Sequence, residues 1–201
     1  VVSAFAAEAD EKLDVSPTDL FVQAETSRRT ETVYDPYVNM LRGTTEGMAA
    51  VIGGSDVLSV RPFDASLRSE DNFSARIARN VQLILREEAH LDVVADPGAG
   101  AYYLEAATDQ LAQRAWSTFQ DVEADGGMIA ALQDGRVQEQ IAAVGDDRER
   151  EVDTRSRVLV GTNHYPALDE TRLEDLEEPP GLSPSPDPVV LATPSLDRFR
   201  E

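Results

Sequence analysis

The 201-residue chain contains no cysteine, a single lysine (Lys12) and only two histidines, His90 and His164. Without cysteine there is no disulfide, no thiolate nucleophile and no Cys-ligated zinc, and two isolated imidazoles with no partner at ligand spacing give no reason to expect a metal centre. No apolar run comes near the roughly 18 residues that a membrane span needs. The start, Val1-Val2-Ser3-Ala4-Phe5, has none of the basic residues that open a signal peptide. The expectation is a cytoplasmic protein with no membrane partner. Basic residues are scarce as well, 18 against 38 acidic for a net charge of -20. That balance repels phosphate backbones and anionic lipid, which excludes nucleic acid as a partner. An acidic surface almost free of lysine fits a halophilic habit, in which charge keeps a protein soluble where salt screens repulsion. An ordinary acidic cytosolic protein accounts for the composition equally well.

What is present suffices for a core, since 41% of the residues are apolar. A short apolar run, a polar turn and a long amphipathic helix occur three times in succession, the pattern of an α/β fold with a parallel sheet under helices. The first strand is expected at Leu20–Ala24, after a turn at Ser16–Asp19. A helix then starts at Asp35-Pro36, with Val38, Leu41, Thr45, Met48 and Ile52 on its inner face and Gly53-Gly54 as its stop. The second unit has a strand at Val57–Val60 and a helix from Ser74 to Ala89, with Ile77, Val81, Ile84 and Leu85 facing inward. The third has a strand at Val93–Ala95, a turn at Asp96–Gly100, and a helix over 106–124 with Leu111, Ala115, Phe119 and Val122 on one face, ended by Gly126-Gly127. A further helix over Met128–Val144, carrying Leu132, Val137 and Ile141, and a charged run at Asp146–Glu151 lead to a short strand at Val158–Val160. Val1–Ala9 reads as a helical fragment with no N-cap, so the chain is expected to begin inside an element. From Asp169 onward six of the eleven prolines fall among acidic residues, a linker composition. This divides the chain into 1–168 and a Pro-rich acidic linker, 169–201, which implies that more follows.

In parallel α/β folds the ligand-binding rim lies at the C-terminal ends of the strands. Glu25, Arg28, Arg61, Asp64 and Asp96 fall there. They can read a substrate, or they can form a ring of salt bridges that merely stabilises the loops. Asp96-Pro97-Gly98-Ala99-Gly100 matches neither the dinucleotide-binding spacing nor the lysine-bearing P-loop, and glycine with proline makes a tight turn there. Glu87-Glu88 point in different directions on a helix, which favours a solvated face over paired acid and base work. His90 at a helix end and His164 in a loop are read as structural.

Several longer stretches carry a resemblance. Val33 to Arg42, Thr45 to Ala50 with Gly53-Gly54, Phe73 to Asn80, Gln82 to Glu88, Ala95-Asp96-Pro97 with Tyr102-Tyr103, Gly126-Gly127-Met128, and Val160 to Pro166 resemble the cobalamin-dependent acyl-CoA mutases, above all methylmalonyl-CoA mutase. The likeness runs from about Leu20 to Pro166. It implies a partial (β/α)8 TIM barrel, contributed here as the last three βα units with extra C-terminal helices. It also implies adenosylcobalamin in the assembled complex, held by a domain beyond Glu201 rather than by this chain, because neither histidine stands in the family's Asp-x-His-x-x-Gly context. In catalytic subunits the sixth strand ends in His-x-Gln-Thr-Ser. Here Thr26-Ser27 are kept while Gln23 takes the place of the catalytic histidine, and the His-Thr-Asn pattern after strand seven is replaced by Ser59-Val60-Arg61 with Phe63 and Asp64 retained. The resemblance is thus to the small, non-catalytic subunit, partnered in a heterodimer by a large catalytic mutase subunit. No catalytic residue is assigned; Gln23, Arg61, Asp64 and Asp96 are the candidates at the barrel mouth. The alternative is a catalytic barrel with altered acyl-CoA specificity, in which Gln23 and Arg61 read a different acyl group.

Overall fold

The structure, a computed structural model, describes residues 21–67 and 72–168. The expected N-terminal helical fragment, the Ser16–Asp19 turn and the linker from Asp169 lie outside the described residues. In chain order the elements are β1 (Gln23–Glu25), a 3-10 turn (Arg28–Thr30), α1 (Val38–Ile52), β2 (Val57–Ser59) and α2 (Asn72–Leu83), continued by a π turn (Ile84–Glu88). Then follow α3 (Tyr102–Ala124), α4 (Gly127–Gln133) and α5 (Arg136–Asp153). The two strands pair in parallel, Gln23 opposite Val57, Ala24 opposite Leu58 and Glu25 opposite Ser59. Parallel neighbours need a crossover, and α1 supplies it. At the other end of the pair the Val22 amide donates to Asp56 Oδ2 at 2.7 Å and the Asp56 amide to the Val22 carbonyl at 2.8 Å.

The core lies between this sheet and the two helices that follow its strands. Val60, Ala78, Val81 and Leu85 are buried together, with Leu58 and Leu91 packed against them. On α2 the buried residues Ser74, Ala78 and Val81 recur at helical spacing and Leu85 extends the line into the π turn. Ile84, expected inside, is exposed at the start of that turn.

On α1 the expected inner face is not the one that packs. Leu41 is 66% exposed and Met48 also faces outward, whereas the buried residues are Asn39 and Gly47. A Cβ on Gly47 would stand 3.3 Å from Leu85 Cδ1 and 3.4 Å from Leu58 Cδ2, and one on Gly43 would stand 3.7 Å from Val60 Cγ1. Asn39, Gly43 and Gly47, each four residues on from the last, therefore form the contact stripe. A helix that comes this close to a sheet meets it with backbone, so hydrophobic periodicity, which counts side chains, selects the wrong side. The helix also begins later than Asp35-Pro36 suggests: Asp35 takes a positive φ of 47°, and Tyr37 occupies the cap position without a side-chain hydrogen bond.

The third strand does not form. His90 turns the chain with a φ of 53°, the Val93 amide donates to the His90 carbonyl, and Val93 is 74% exposed. Valine fits a strand only where a neighbouring ladder receives it, and no such neighbour stands beside this segment among the described residues. The strand expected at Val158–Val160 is reduced to one bridge between Val160 and His164. There the Asn163 side chain does the work of a ladder, accepting from the Leu159 amide at 2.7 Å and donating to the carbonyls of Val152 and Arg157. The described architecture is thus α/β with a small parallel sheet.

The C-terminal helices also depart from their expected faces. Gly53-Gly54 and Gly126-Gly127 end their helices as read, with Gly54 and Gly126 both at positive φ. However, α3 starts at Tyr102 and buries Ala112 and Trp116, while Leu111 and Phe119 are exposed. The single helix expected over 128–144 is split at Asp134-Gly135, where Gly135 has a φ of 78°. The charged run Asp146–Glu151 belongs to α5, whose buried residues are Gly145 and Val152, and Ile141 faces outward.

Candidate functional site at the strand ends

Side chains two apart on a strand share a face, so Gln23 and Glu25 project together from β1, and Ser59 and Arg61 continue the corresponding face of β2. The consequence is an ion pair across the strand ends. Arg61 Nη1 lies 2.8 Å from Glu25 Oε1. Arg61 Nε stands 3.4 Å from Glu31 Oε1, near enough for charge attraction but not aligned as a hydrogen bond. The Arg61 backbone is held as well, because its amide donates to Thr26 Oγ1 at 2.9 Å while the Thr26 amide donates to the Ser59 carbonyl. Both anchors leave the guanidinium lying over the end of the two-stranded sheet.

Glu31 is the half-buried member of this group, its carboxylate less exposed than that of Glu25. Its carboxylate accepts a hydrogen bond from the Ser66 hydroxyl in the loop after β2. Burial pushes the Glu31 carboxyl above the ordinary glutamate value, against the opposing pull of Ser66, Arg61 and Arg28. Beside it, the Ser27 amide donates to Glu46 Oε2 at 2.8 Å, which ties the loop after β1 to α1.

Behind the strand ends lies a second polar knot. Asn39 Nδ2 donates to the carbonyls of Thr32 and Phe63, and its Oδ1 accepts from the Thr32 amide. Arg42, one turn along α1, donates to Asn39 Oδ1 at 2.7 Å and Thr32 Oγ1 at 2.8 Å with Nη1, and to the Val160 carbonyl at 2.6 Å with Nη2. Desolvation lowers the pKa of this arginine, and Asp35 and Glu46 oppose that shift; an arginine stays charged regardless. Gly161, with a φ of 79°, fits beside Asp35 where a Cβ would come within 3.1 Å of its side chain. One knot therefore joins the loops after both strands, the start of α1 and the Val160–Tyr165 loop.

Of the residues expected at the rim, the structure joins Arg61 with Glu25 and adds Glu31. Gln23 stands at the beginning of β1, exposed and without a side-chain hydrogen bond to the described residues. Asp64 is 1% exposed, so it is part of the interior and not of an open mouth. Asp96 bonds locally, accepting from the Gly98 amide in its turn, and Arg28 is exposed in the 3-10 turn. Glu87 pairs with its neighbour Arg86 on the surface, and the His164 ring meets Tyr165 edge-on at 5.5 Å. No group of three or more His, Asp or Glu that could hold a metal ion occurs among the described residues, and no described helix is long and apolar enough to cross a membrane. Glu31, Ser66, Asn39 and Arg42 are scattered along the sequence and are brought together only by the fold. The one local signal was the i, i+3 spacing of Asn39 and Arg42, which places both on one helix face.

Residues 3–181 match the methylmalonyl-CoA mutase family. The chain is 44% identical over 147 residues to the methylmalonyl-CoA mutase small subunit of Porphyromonas gingivalis, covering 73% of this chain and 24% of that protein. It is 40% identical over 166 residues to the methylmalonyl-CoA mutase small subunit of Streptomyces virginiae, covering 83% and 27%. To the methylmalonyl-CoA mutase of Rhizobium meliloti it is 41% identical over 143 residues, covering 71% and 20%. The chain spans about a quarter of the length of the curated relatives it matches. With β1 through α5, the strand-end ion pairs and the Asn39–Arg42 knot all inside the matched range, the chain belongs to the methylmalonyl-CoA mutase family.

Proposed function

We propose that this chain is part of the small, non-catalytic subunit of an adenosylcobalamin-dependent methylmalonyl-CoA mutase. Its role is to support a large catalytic subunit, in a heterodimer, that interconverts methylmalonyl-CoA and succinyl-CoA. Residues 1–168 contribute the C-terminal part of a (β/α)8 barrel, and 169–201 lead as a linker toward a cobalamin-binding-type domain. The observation that carries the proposal is the fixation of Arg61. Its guanidinium is neutralised by Glu25 and approached by Glu31, and its amide is bonded to Thr26, so it fills the strand ends as a structural group. With its charge offset by Glu25 and Glu31, this guanidinium attracts a substrate carboxylate less strongly than a free arginine would. Gln23 supports the same view: its side-chain amide can donate hydrogen bonds but cannot gain or lose a proton near neutral pH as the histidine of the catalytic pattern can.

Adenosylcobalamin supplies the radical chemistry when bound, but the histidines described here do not suit it. His90 sits at the left-handed end of a helix and His164 packs edge-on to Tyr165. In the proposed assembly the cofactor belongs to the complex and is not held by the residues of this chain.

The test is made in the assembled heterodimer. Gln23→Ala leaves turnover unchanged, whereas replacing the histidine at the corresponding position of the large subunit costs on the order of a hundredfold, the scale of losing a preorganised donor to a carbonyl. A clear fall in turnover on Gln23→Ala, with the assembly intact, overturns the non-catalytic role and favours a barrel that reads another acyl-CoA.

A further inference from the structure

The sequence contains two Asp-Gly pairs, Asp125-Gly126 and Asp134-Gly135, and no Asn-Gly. Each closes a helix. Asp125 caps α3 and Asp134 caps α4, and the glycines that follow them sit at φ 99° and 78°. Both aspartate side chains reach water. An Asp-Gly junction is open to attack from within the chain, because glycine has no Cβ to block the approach of its own amide nitrogen to the preceding side chain. One residue touches both junctions. Arg136, the first residue of α5, sets Nη1 against Asp125 Oδ2 and donates from Nη2 to the Asp125 carbonyl at 3.1 Å, while the same Nη2 stands 3.4 Å from Asp134 Oδ2. We propose that Asp134-Gly135 is a site of spontaneous isoaspartate formation, and that Arg136 shields Asp125-Gly126 from the same reaction.

The reaction needs no reagent but water. The Gly135 amide nitrogen attacks the carboxyl carbon Cγ of Asp134, the new C–N bond closes a five-membered imide, and the carboxyl OH leaves as water with the amide proton. Water then adds to one of the two imide carbonyls. Opening at the backbone carbonyl leaves the chain running through the aspartyl side chain, one methylene longer. In the folded protein neither junction is posed for the first step. Asp125 and Asp134 hold ψ at 11° and -7°, and both glycine amides are engaged, Gly126 on the Glu123 carbonyl at 3.2 Å and Gly135 on the Leu132 carbonyl at 3.3 Å. Each turn therefore has to open locally before it reacts, and the order of reaction follows the ease of opening. At Asp125, opening breaks a close ion pair and a backbone hydrogen bond, both made to one planar guanidinium. At Asp134 it breaks one long contact to the same group.

The test is made on the full chain, aged in mildly acidic to neutral buffer. Isoaspartate at each junction is followed by peptide mapping with an endoproteinase that cuts before aspartate but not before isoaspartate. The expected result is that Asp134 accumulates isoaspartate severalfold faster than Asp125. Arg136→Ala, with folding checked by circular dichroism, should raise the rate at Asp125 severalfold and the rate at Asp134 by much less. In the parent chain unfolded in urea the difference between the two junctions should fall away, a comparison that decides the matter even where the variant does not fold. Absence of isoaspartate at Asp134, or reaction at Asp125 as fast or faster in the folded parent, overturns the inference. So does a folded Arg136→Ala protein in which Asp125 is unchanged, and so does a preference for Asp134 that persists in urea, because local sequence and not the arginine would then set the order.

Discussion

Arg42 and Val160 lie 118 residues apart in sequence and are joined by a 2.6 Å hydrogen bond from the guanidinium Nη2 to the carbonyl oxygen. The same guanidinium also binds Asn39 and Thr32 through Nη1. A planar fork is needed to serve acceptors on three segments, and an ammonium group cannot reproduce it. Arg42→Ala is expected to destabilise the fold by about 2 to 3 kcal/mol, because Asn39 Oδ1 and the Val160 carbonyl lose a charged donor. Arg42→Lys should recover less than half of that loss. Thermal denaturation of the two variants decides it, and a lysine variant as stable as the parent would show that charge alone suffices.

Gly161 and Gly54 separate backbone strain from crowding. Both have φ near 80°, but a Cβ at Gly54 meets nothing within 4 Å while one at Gly161 lies 3.1 Å from Asp35. Gly54→Ala is therefore expected to cost about 1 kcal/mol, the penalty for left-handed geometry alone. Gly161→Ala should cost clearly more and should loosen the loop that Arg42 holds. Chemical denaturation midpoints compared at constant slope test the order, and equal losses would contradict it.

Glu31 carries the pH prediction. Its folded carboxyl is raised from 4.5 by burial, so near and above that value the folded state binds more protons than the unfolded one. Its contribution to stability is fully present below pH 4.5 and is lost as pH rises through the folded value. Glu31→Gln keeps the shape and an acceptor for Ser66 while removing the titration. The variant should therefore show a smaller loss of stability than the parent as pH rises through the window above 4.5. Melting curves from pH 4 to 8 that remain parallel for the two proteins would refute this, with both limits chosen as roughly bracketing the glutamate range.

Net charge gives a prediction for the whole molecule. With 38 acidic residues against 18 basic ones, repulsion opposes the compact state, and molar KCl shortens its range to a few ångströms. The melting temperature is expected to rise from low salt to molar KCl even though the Arg61–Glu25 pair is weakened. A melting temperature that stays flat would remove the halophilic interpretation of the composition.

What could be read in advance was what is local. Gly53-Gly54 and Gly126-Gly127 end their helices because glycine takes positive φ without a Cβ penalty, a property of the residue itself. Arg61 and Glu25 could be placed at the strand ends by counting along two apolar runs. The packing face of α1 was hidden because its contact residues are Asn39, Gly43 and Gly47, which carry almost no hydrophobic signal. Glu31 and Ser66 come together across 35 residues with nothing in either neighbourhood to announce it. Val93–Ala95 misled for the opposite reason: its β-branched residues are a local signal, whereas pairing is decided by a neighbour elsewhere.

The span between Arg42 and Val160 also sets a timetable for synthesis. At roughly 5 to 20 residues per second, translation reaches residue 160 some 6 to 24 s after residue 42. For most of that interval, from the completion of β2 at Ser59 onward, β1, α1 and β2 have left the peptidyl-transferase centre, while the Val160 carbonyl that completes the knot does not yet exist. The nascent chain must therefore keep a hydrated arginine in waiting, exposed to any chaperone that recognises an unfinished sheet.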